Sequence, residues 1–149
     1  VWISFLQQIN KSTNQQMKTK ITIAYKVLAP NLKSCYASCW LITDNKNWSI
    51  QYKLNEFVKP KVNNSKLFVF CTLQSAKDFL LHNNYDNNRQ IYKCEALNVT
   101  KCLLICKKVT NIPDYWKYYN IVRKMKFLIK ASPKGTGHAD AVKLLERMV

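Results

Sequence analysis

The spacing of apolar and polar positions along this chain predicts several short strands, one short helix and one longer helix. Ile21-Thr22-Ile23-Ala24-Tyr25-Lys26-Val27-Leu28 is rich in β-branched and aromatic residues and stops at Ala29-Pro30, which suits a first strand. Trp48 to Leu54 alternates apolar and polar, the period of a half-buried strand, and Trp40-Leu41-Ile42 reads as another short strand before the turn at Asp44 to Asn47. Leu67-Phe68-Val69-Phe70-Cys71 is an unbroken apolar run of strand length, after which Thr72 offers its hydroxyl as a helix N-cap. Leu73, Ala76, Phe79 and Leu80 recur at helical spacing, so Leu73 to His82 is a helix and Gln90 to Ala96 the strand after it.

Cys102 to Cys106 reads as a further strand. Beyond Pro113, the apolar residues Tyr118, Ile121, Val122, Met125, Leu128 and Ile129 share one face of a helix expected from Asp114 to Lys130. In Ala139 to Val149 propensity favours helix, while the Ala141-Val142-Lys143-Leu144-Leu145 core leaves a strand open. With no repeat or domain break, the expected fold is a single α+β domain whose sheet is mainly antiparallel or mixed.

Length adds that 149 residues fit one domain, burying about 68–70% of the unfolded surface. No apolar run approaches the roughly 20 residues that span a bilayer, so the expected protein is soluble with no membrane partner. Residues 1–16 turn from Val1-Trp2-Ile3-Ser4-Phe5-Leu6 to a polar stretch without a signal-peptide pattern. They read as an extension, with Met17 a candidate start and residues 17–149 the domain.

Only two glycines occur, Gly135 and Gly137, where average usage of about 7% predicts roughly ten. The loop Ser132 to His138 is therefore where the backbone needs positive φ or close approach by another group. Elsewhere asparagine takes the turn positions, as in Asn63-Asn64, Asn83-Asn84 and Asn87-Asn88.

The net charge of +16 points toward nucleic acid or an anionic surface. Only Arg89, Arg123 and Arg147 are arginine, however, and abundant Lys, Asn and Ile is also what an AT-rich genome encodes. Scarce arginine argues against base-specific reading, which relies on bidentate guanine contacts.

The six cysteines, Cys35, Cys39, Cys71, Cys94, Cys102 and Cys106, fall well short of the share of about 8–10% or more typical of a disulfide scaffold. They read as reduced thiols of an intracellular protein. Cys35/Cys39 and Cys102/Cys106 invite a zinc reading, but a four-residue offset in a strand separates thiols by roughly 13 Å. Buried structural thiols fit better, and no metal or cofactor is expected. No local pattern sets a cysteine beside His82 or His138 for nucleophilic catalysis.

Two candidate sites remain. The Lys134-Gly135-Thr136-Gly137 loop could cradle a phosphate on backbone N–H groups, with His138 and Asp140 as polar neighbours, though it lacks the spacing of a phosphate-binding loop and a plain turn competes. Between Tyr115 and Lys134, the cations Lys117, Arg123, Lys124, Lys126, Lys130 and Lys134 interleave with Trp116 and other aromatics and no acid, as single-stranded nucleic acid binding requires. A docked helix with a solvated basic face is the alternative.

Three stretches together resemble a family of small uncharacterised proteins of phages, prophages and bacteria. They are Ala24-Tyr25-Lys26-Val27 with Lys33-Ser34-Cys35; Lys66 to Leu73 and Ala76 with Ile91-Tyr92-Lys93-Cys94-Glu95-Ala96; and Pro133-Lys134-Gly135-Thr136 with Val142-Lys143-Leu144. The resemblance implies a strand near Val142 and a viral or mobile-element origin, and it carries no activity. A fainter similarity is to ADP-ribosyltransferase-like folds, in which Tyr25-Lys26, Cys71-Thr72 and Glu95 would line a nicotinamide dinucleotide cleft.

The leading expectation is a non-enzymatic phage or prophage accessory protein of the host cytoplasm, with blunting of a defence system as one role. It would bind a small anionic ligand or a host component through Lys134, Gly135, Thr136, Gly137, His138, Tyr25, Lys26 and Thr72. The alternatives are non-specific nucleic-acid binding through Trp116, Lys117, Arg123, Lys124, Lys126 and Lys130, an ADP-ribosyltransferase-like enzyme with Glu95 as its catalytic residue, and a virion-associated structural protein.

Overall fold

β-branched and aromatic residues set the first strand, and the rest of the sheet assembles around it. The structure, a computed structural model, describes residues 18–34, 48–82, 88–106, 112–117 and 129–149. Strand β1 (Ile21–Leu28) pairs along its whole length with an antiparallel neighbour, from Ile21 against Leu97 to Leu28 against Gln90. In chain order the other strands are β2 (Phe57–Val58), β3 (Leu67–Phe70), β4 (Gln90–Leu97), β5 (Thr100–Lys101), β6 (Leu104–Cys106), β7 (Ile129–Ala131), β8 (Thr136–Ala139) and β9 (Ala141–Arg147). Helix α1 (Leu73–His82) follows β3, and α2 (Ile112–Lys117) follows β6.

Among the described residues, seven strands form one sheet in the order β2-β9-β4-β1-β3-β8-β5, with every ladder antiparallel, while β6 and β7 pair separately. Since β3 and β4 both run antiparallel to β1 between them, they are parallel to each other. Helix α1 makes that crossover. Both edge strands have only two residues, which leaves little ladder for another chain to extend.

Alternation along the strands divides the core between the two faces of the sheet. On one face Leu28, Val69, Cys94 and Leu144 pack with Ile50 and Tyr52. On the other, Val27, Phe70 and Ile91 receive Ala76 of α1, flanked by Leu73, Phe79 and Leu80. A third cluster joins Tyr115 and Trp116 of α2 to Cys106, Ile129 and Phe68. Full burial of such a side chain contributes roughly 1.5–3 kcal/mol, so these clusters supply the main drive for folding.

The predicted helix at Leu73 has the expected start, because the Thr72 hydroxyl accepts the Ser75 N–H at 3.1 Å. Positive φ falls on Gly135 at 80° and, among non-glycine residues, on Asn55, Asn64 and Asn98 as well as Leu32. Asparagine thus stands in for glycine at Asn64 as expected.

Three expectations need correction. The helix predicted to reach Lys130 does not, since Ile129 and Lys130 belong to β7, where Ile129 meets Cys106 and Lys130 meets Ile105. Trp48 to Leu54 keeps the predicted alternation at Ile50 and Tyr52, which are buried, but it is held by isolated bridges from Gln51 to Lys33 and from Leu54 to Leu144. The tail leaves propensity for tertiary pairing, with Ala141–Arg147 forming a strand against β4. Trp40 to Ile42, Cys35, Cys39, Asn83-Asn84, Asn87, Tyr118 to Leu128 and the residues 1–16 extension lie outside the described residues.

Candidate functional site

The seam between β1 and β3 carries a single register pair, Tyr25 with Phe70. Beyond it the two strands part, and a cavity of about 130 Å³ is lined from both, by Lys26 and Val27 on one side and by Leu67, Phe68 and Phe70 on the other. Phe79 of α1, Trp116 of α2 and Lys130 of β7 also line it, and Trp48, Ile50 and Tyr52 contribute to the wall as well.

Among the described residues, four lysines line this space, Lys26, Lys61, Lys66 and Lys130, and no carboxylate does. Lys26 is the most constrained of them. Its side chain is only 8% exposed, donates to the Phe68 carbonyl, and sets its ammonium 5.4 Å from the Tyr52 ring centroid. The backbone oxygen at the parted seam is thereby satisfied by a side chain. Lys66 pairs with Asp140, whose carboxyl is held below the usual range by its hydrogen bonds from Lys66 and Asn98. The Tyr52 hydroxyl is buried with no partner in good hydrogen-bond geometry among the described residues, and burial pushes its pKa well above that of an ordinary phenol, against a weaker hydrogen-bonding influence of the Ser34 side chain.

Beside the cavity lies a buried polar chain. Tyr115 donates to the Leu104 carbonyl at 2.8 Å and stands 3.2 Å from Nε2 of His138. The single phenolic proton is committed to Leu104, which leaves His138 Nε2 as the donor to the Tyr115 oxygen. Cys102 Sγ donates to the same carbonyl at 3.1 Å and lies 3.8 Å from the Tyr115 oxygen. A cysteine and a histidine thus approach the same tyrosine, a proximity no local sequence pattern signalled. Burial raises the Cys102 pKa above that of a free thiol, and it lowers that of His138 to about 4, helped by the Lys66 ammonium. At neutral pH the pair is a thiol and a neutral imidazole, which lacks the thiolate that nucleophilic attack requires.

The glycine loop is engaged by the protein itself. The Gly135 carbonyl accepts Cys71 N–H at 2.8 Å, and both the N–H and hydroxyl of Thr136 donate to Pro133 O. A Cβ at Gly135 would stand 2.3 Å from Ser75 Oγ, and one at Gly137, inside β8, 2.9 Å from Val99 Cγ1. Close approach was the expectation, and the approaching groups are Ser75 and Val99.

Of the predicted ligand contacts, Lys26 and Thr136 reach the cavity lining, and Tyr25, Thr72, Lys134, Gly135, Gly137 and His138 do not. Glu95 is outside it too and pairs with Lys143 at 2.8 Å. Trp116 and Lys130, expected on a nucleic-acid surface, line the cavity instead; Trp116 is 5% exposed and packed on Phe68. Lys117 is exposed, and Arg123, Lys124 and Lys126 lie outside the described residues. Sequence reasoning missed Lys61, Lys66, Trp48 and Phe68, which share no local motif.

Among the described residues, no group of three or more His, Cys, Asp or Glu side chains could hold a metal ion, and no helix is long and apolar enough to cross a membrane. Comparison of the chain with protein-family models, with curated proteins and with solved structures finds no match.

Proposed function

We propose that this is a non-enzymatic binding protein whose ligand is a small anion with an apolar or aromatic body, held in the cavity between β1 and β3. The observation that carries the reading is the meeting, among the described residues, of four lysines with an aromatic wall and no lining carboxylate. Apolar pockets with a few convergent charged groups are where small molecules bind, and lysine serves as a point charge for phosphate or carboxylate. The phage and prophage resemblance supplies the biological half of the proposal: an accessory protein in the host cytoplasm that captures a host component or signalling molecule, in service of evading a defence system.

A thermal-shift screen of the full chain against nucleotides, cyclic dinucleotides, NAD derivatives and short DNA, at low and high salt, tests the reading. Stabilisation by one small anion at both salts is the expected result. No shift with any small anion, or a shift with DNA confined to low salt, overturns it, the latter in favour of non-specific binding through net charge.

A further inference from the structure

The cavity does not end at its aromatic wall. It adjoins an open recess of about 840 Å³, and the two share Trp48, Ser65, Lys66 and Trp116. Beyond that shared border the chemistry changes. The recess adds Asn63, Asn64, Pro113 and Lys117, so that amides, a hydroxyl and two ammonium groups face its space. The inner chamber adds Phe70, Phe79 and Tyr52, together with the buried Lys26.

Resting on the anion-binding reading above, we infer that the occupant is a nucleoside monophosphate, with its base in the inner chamber and its ribose and phosphate in the outer recess. Size limits the inner part. At roughly 10–15 Å³ for each water position, 130 Å³ admits about ten waters, room for one ring system and not for two nucleotides. The walls suit a heteroaromatic ring better than an aliphatic one. Aromatic side chains accept the faces of a base whatever its sequence identity. Its polar edge would meet the buried Tyr52 hydroxyl, which has no partner in good hydrogen-bond geometry among the described residues and only the Ser34 side chain acting on it.

The outer part suits the remainder of the ligand. Asn63 and Asn64 offer amide donors and acceptors to ribose hydroxyls. Ser65 has already given its proton to the Val62 carbonyl at 2.6 Å, so its oxygen is an acceptor there. Lys66, which pairs with Asp140, and the exposed Lys117 supply positive charge for the phosphate.

Titration calorimetry of the full chain with AMP, UMP, adenosine, uridine and ribose 5-phosphate tests the placement. AMP or UMP is expected to bind about tenfold more tightly than its nucleoside and than ribose 5-phosphate, since each half of the site is then filled. It should also quench tryptophan emission, with the quenching reduced in Trp48→Phe. Lys117→Ala is expected to weaken the monophosphate several-fold and leave the nucleoside unchanged. Ribose 5-phosphate binding as tightly as both monophosphates would overturn the base chamber while preserving an anion site. Nucleosides binding as tightly as monophosphates would overturn the phosphate recess. If other small anions shift the melting temperature but no nucleotide binds, this inference fails alone; if no small anion does either, the underlying reading fails with it.

Discussion

Tyr115 and His138 meet inside the protein, hydroxyl oxygen to Nε2 at 3.2 Å, although 23 positions separate them in the chain. The contact fixes a neutral imidazole beneath the cavity wall. His138 also packs edge-on against Phe68, with ring centroids 5.0 Å apart, so its surroundings are aromatic on one side and hydrogen-bonded on the other.

Acid should therefore weaken the fold through His138. Its pKa falls from 6.5 to about 4 on folding, so between those values the unfolded chain binds a proton that the native state refuses. Stability rises with pH across that window and is lost as pH falls through it, by about 3 kcal/mol for a shift of this size. Asp140 acts lower, because its depressed pKa leaves its contribution intact until pH drops below the ordinary carboxylate value of 3.8. Urea titrations at pH 7, 6, 5 and 4 should show a slope that His138→Gln flattens. Parallel profiles for the two proteins would remove His138 as the cause.

The two glycines should respond differently to alanine. Gly135→Ala places a side chain at φ 80°, which costs roughly 1–2 kcal/mol, and drives its Cβ against Ser75. Ser75→Ala removes only the Oγ contact, because the Ser75 Cβ would still lie 2.8 Å away, so rescue of Gly135→Ala should be incomplete. Gly137 needs no positive φ, and its nearest obstacle is the Val99 side chain. Val99→Ala should recover most of the stability lost in Gly137→Ala. A double-mutant cycle in denaturant separates the cases: equal rescue at both sites would contradict the conformational account of Gly135.

Capping of α1 is separable from its packing. Thr72 accepts the Ser75 N–H and donates to Ser75 Oγ at 2.8 Å, both at an exposed position. Thr72→Ala should destabilise by about 1 kcal/mol, and Thr72→Ser should restore most of it. Indistinguishable denaturation midpoints for alanine and serine would show that the cap carries no weight.

How much of this was legible depended on whether the determining contacts were local. The run Leu67 to Cys71, the Thr72 cap and the helical spacing of Leu73, Ala76, Phe79 and Leu80 sit within a few turns of chain, and β3 and α1 follow them closely. Ile129 continued a helical stripe in sequence but takes its conformation from Cys106, 23 residues earlier, a pairing that no periodicity reports. Strand β8 escaped notice for another reason. Thr136, Gly137, His138 and Ala139 are all buried, yet they form no apolar run, because Thr136 donates to the Pro133 carbonyl, His138 meets the Tyr115 hydroxyl and the Val99 side chain packs directly on Gly137. The cavity was the least accessible of all: Lys26, Lys61, Lys66 and Lys130 converge only because β1 and β3 part beyond Tyr25 and Phe70. Of its lining, the sequence marks Lys26, Thr136, Trp116 and Lys130 as candidate site residues, each for a reason other than this convergence.

Thiol chemistry offers a test of the burial pattern that needs no substitution. Burial raises the pKa of Cys94 to about 12 and that of Cys106 to about 11, and it raises Cys102 as well. At pH 8 each is a protonated thiol shielded from reagent, whereas Cys71 is exposed. Only the thiolate attacks, so both protonation and access slow the buried three. Brief iodoacetamide treatment of native protein followed by peptide mass mapping should label Cys71 and leave Cys94, Cys102 and Cys106 largely unmodified, with all four labelled in denaturant. The pattern also bears on the Cys102-Tyr115-His138 cluster. If the histidine served as a base for the thiol, Cys102 would react in native protein as fast as Cys71 or faster, and the neutral, structural account of that cluster would be wrong.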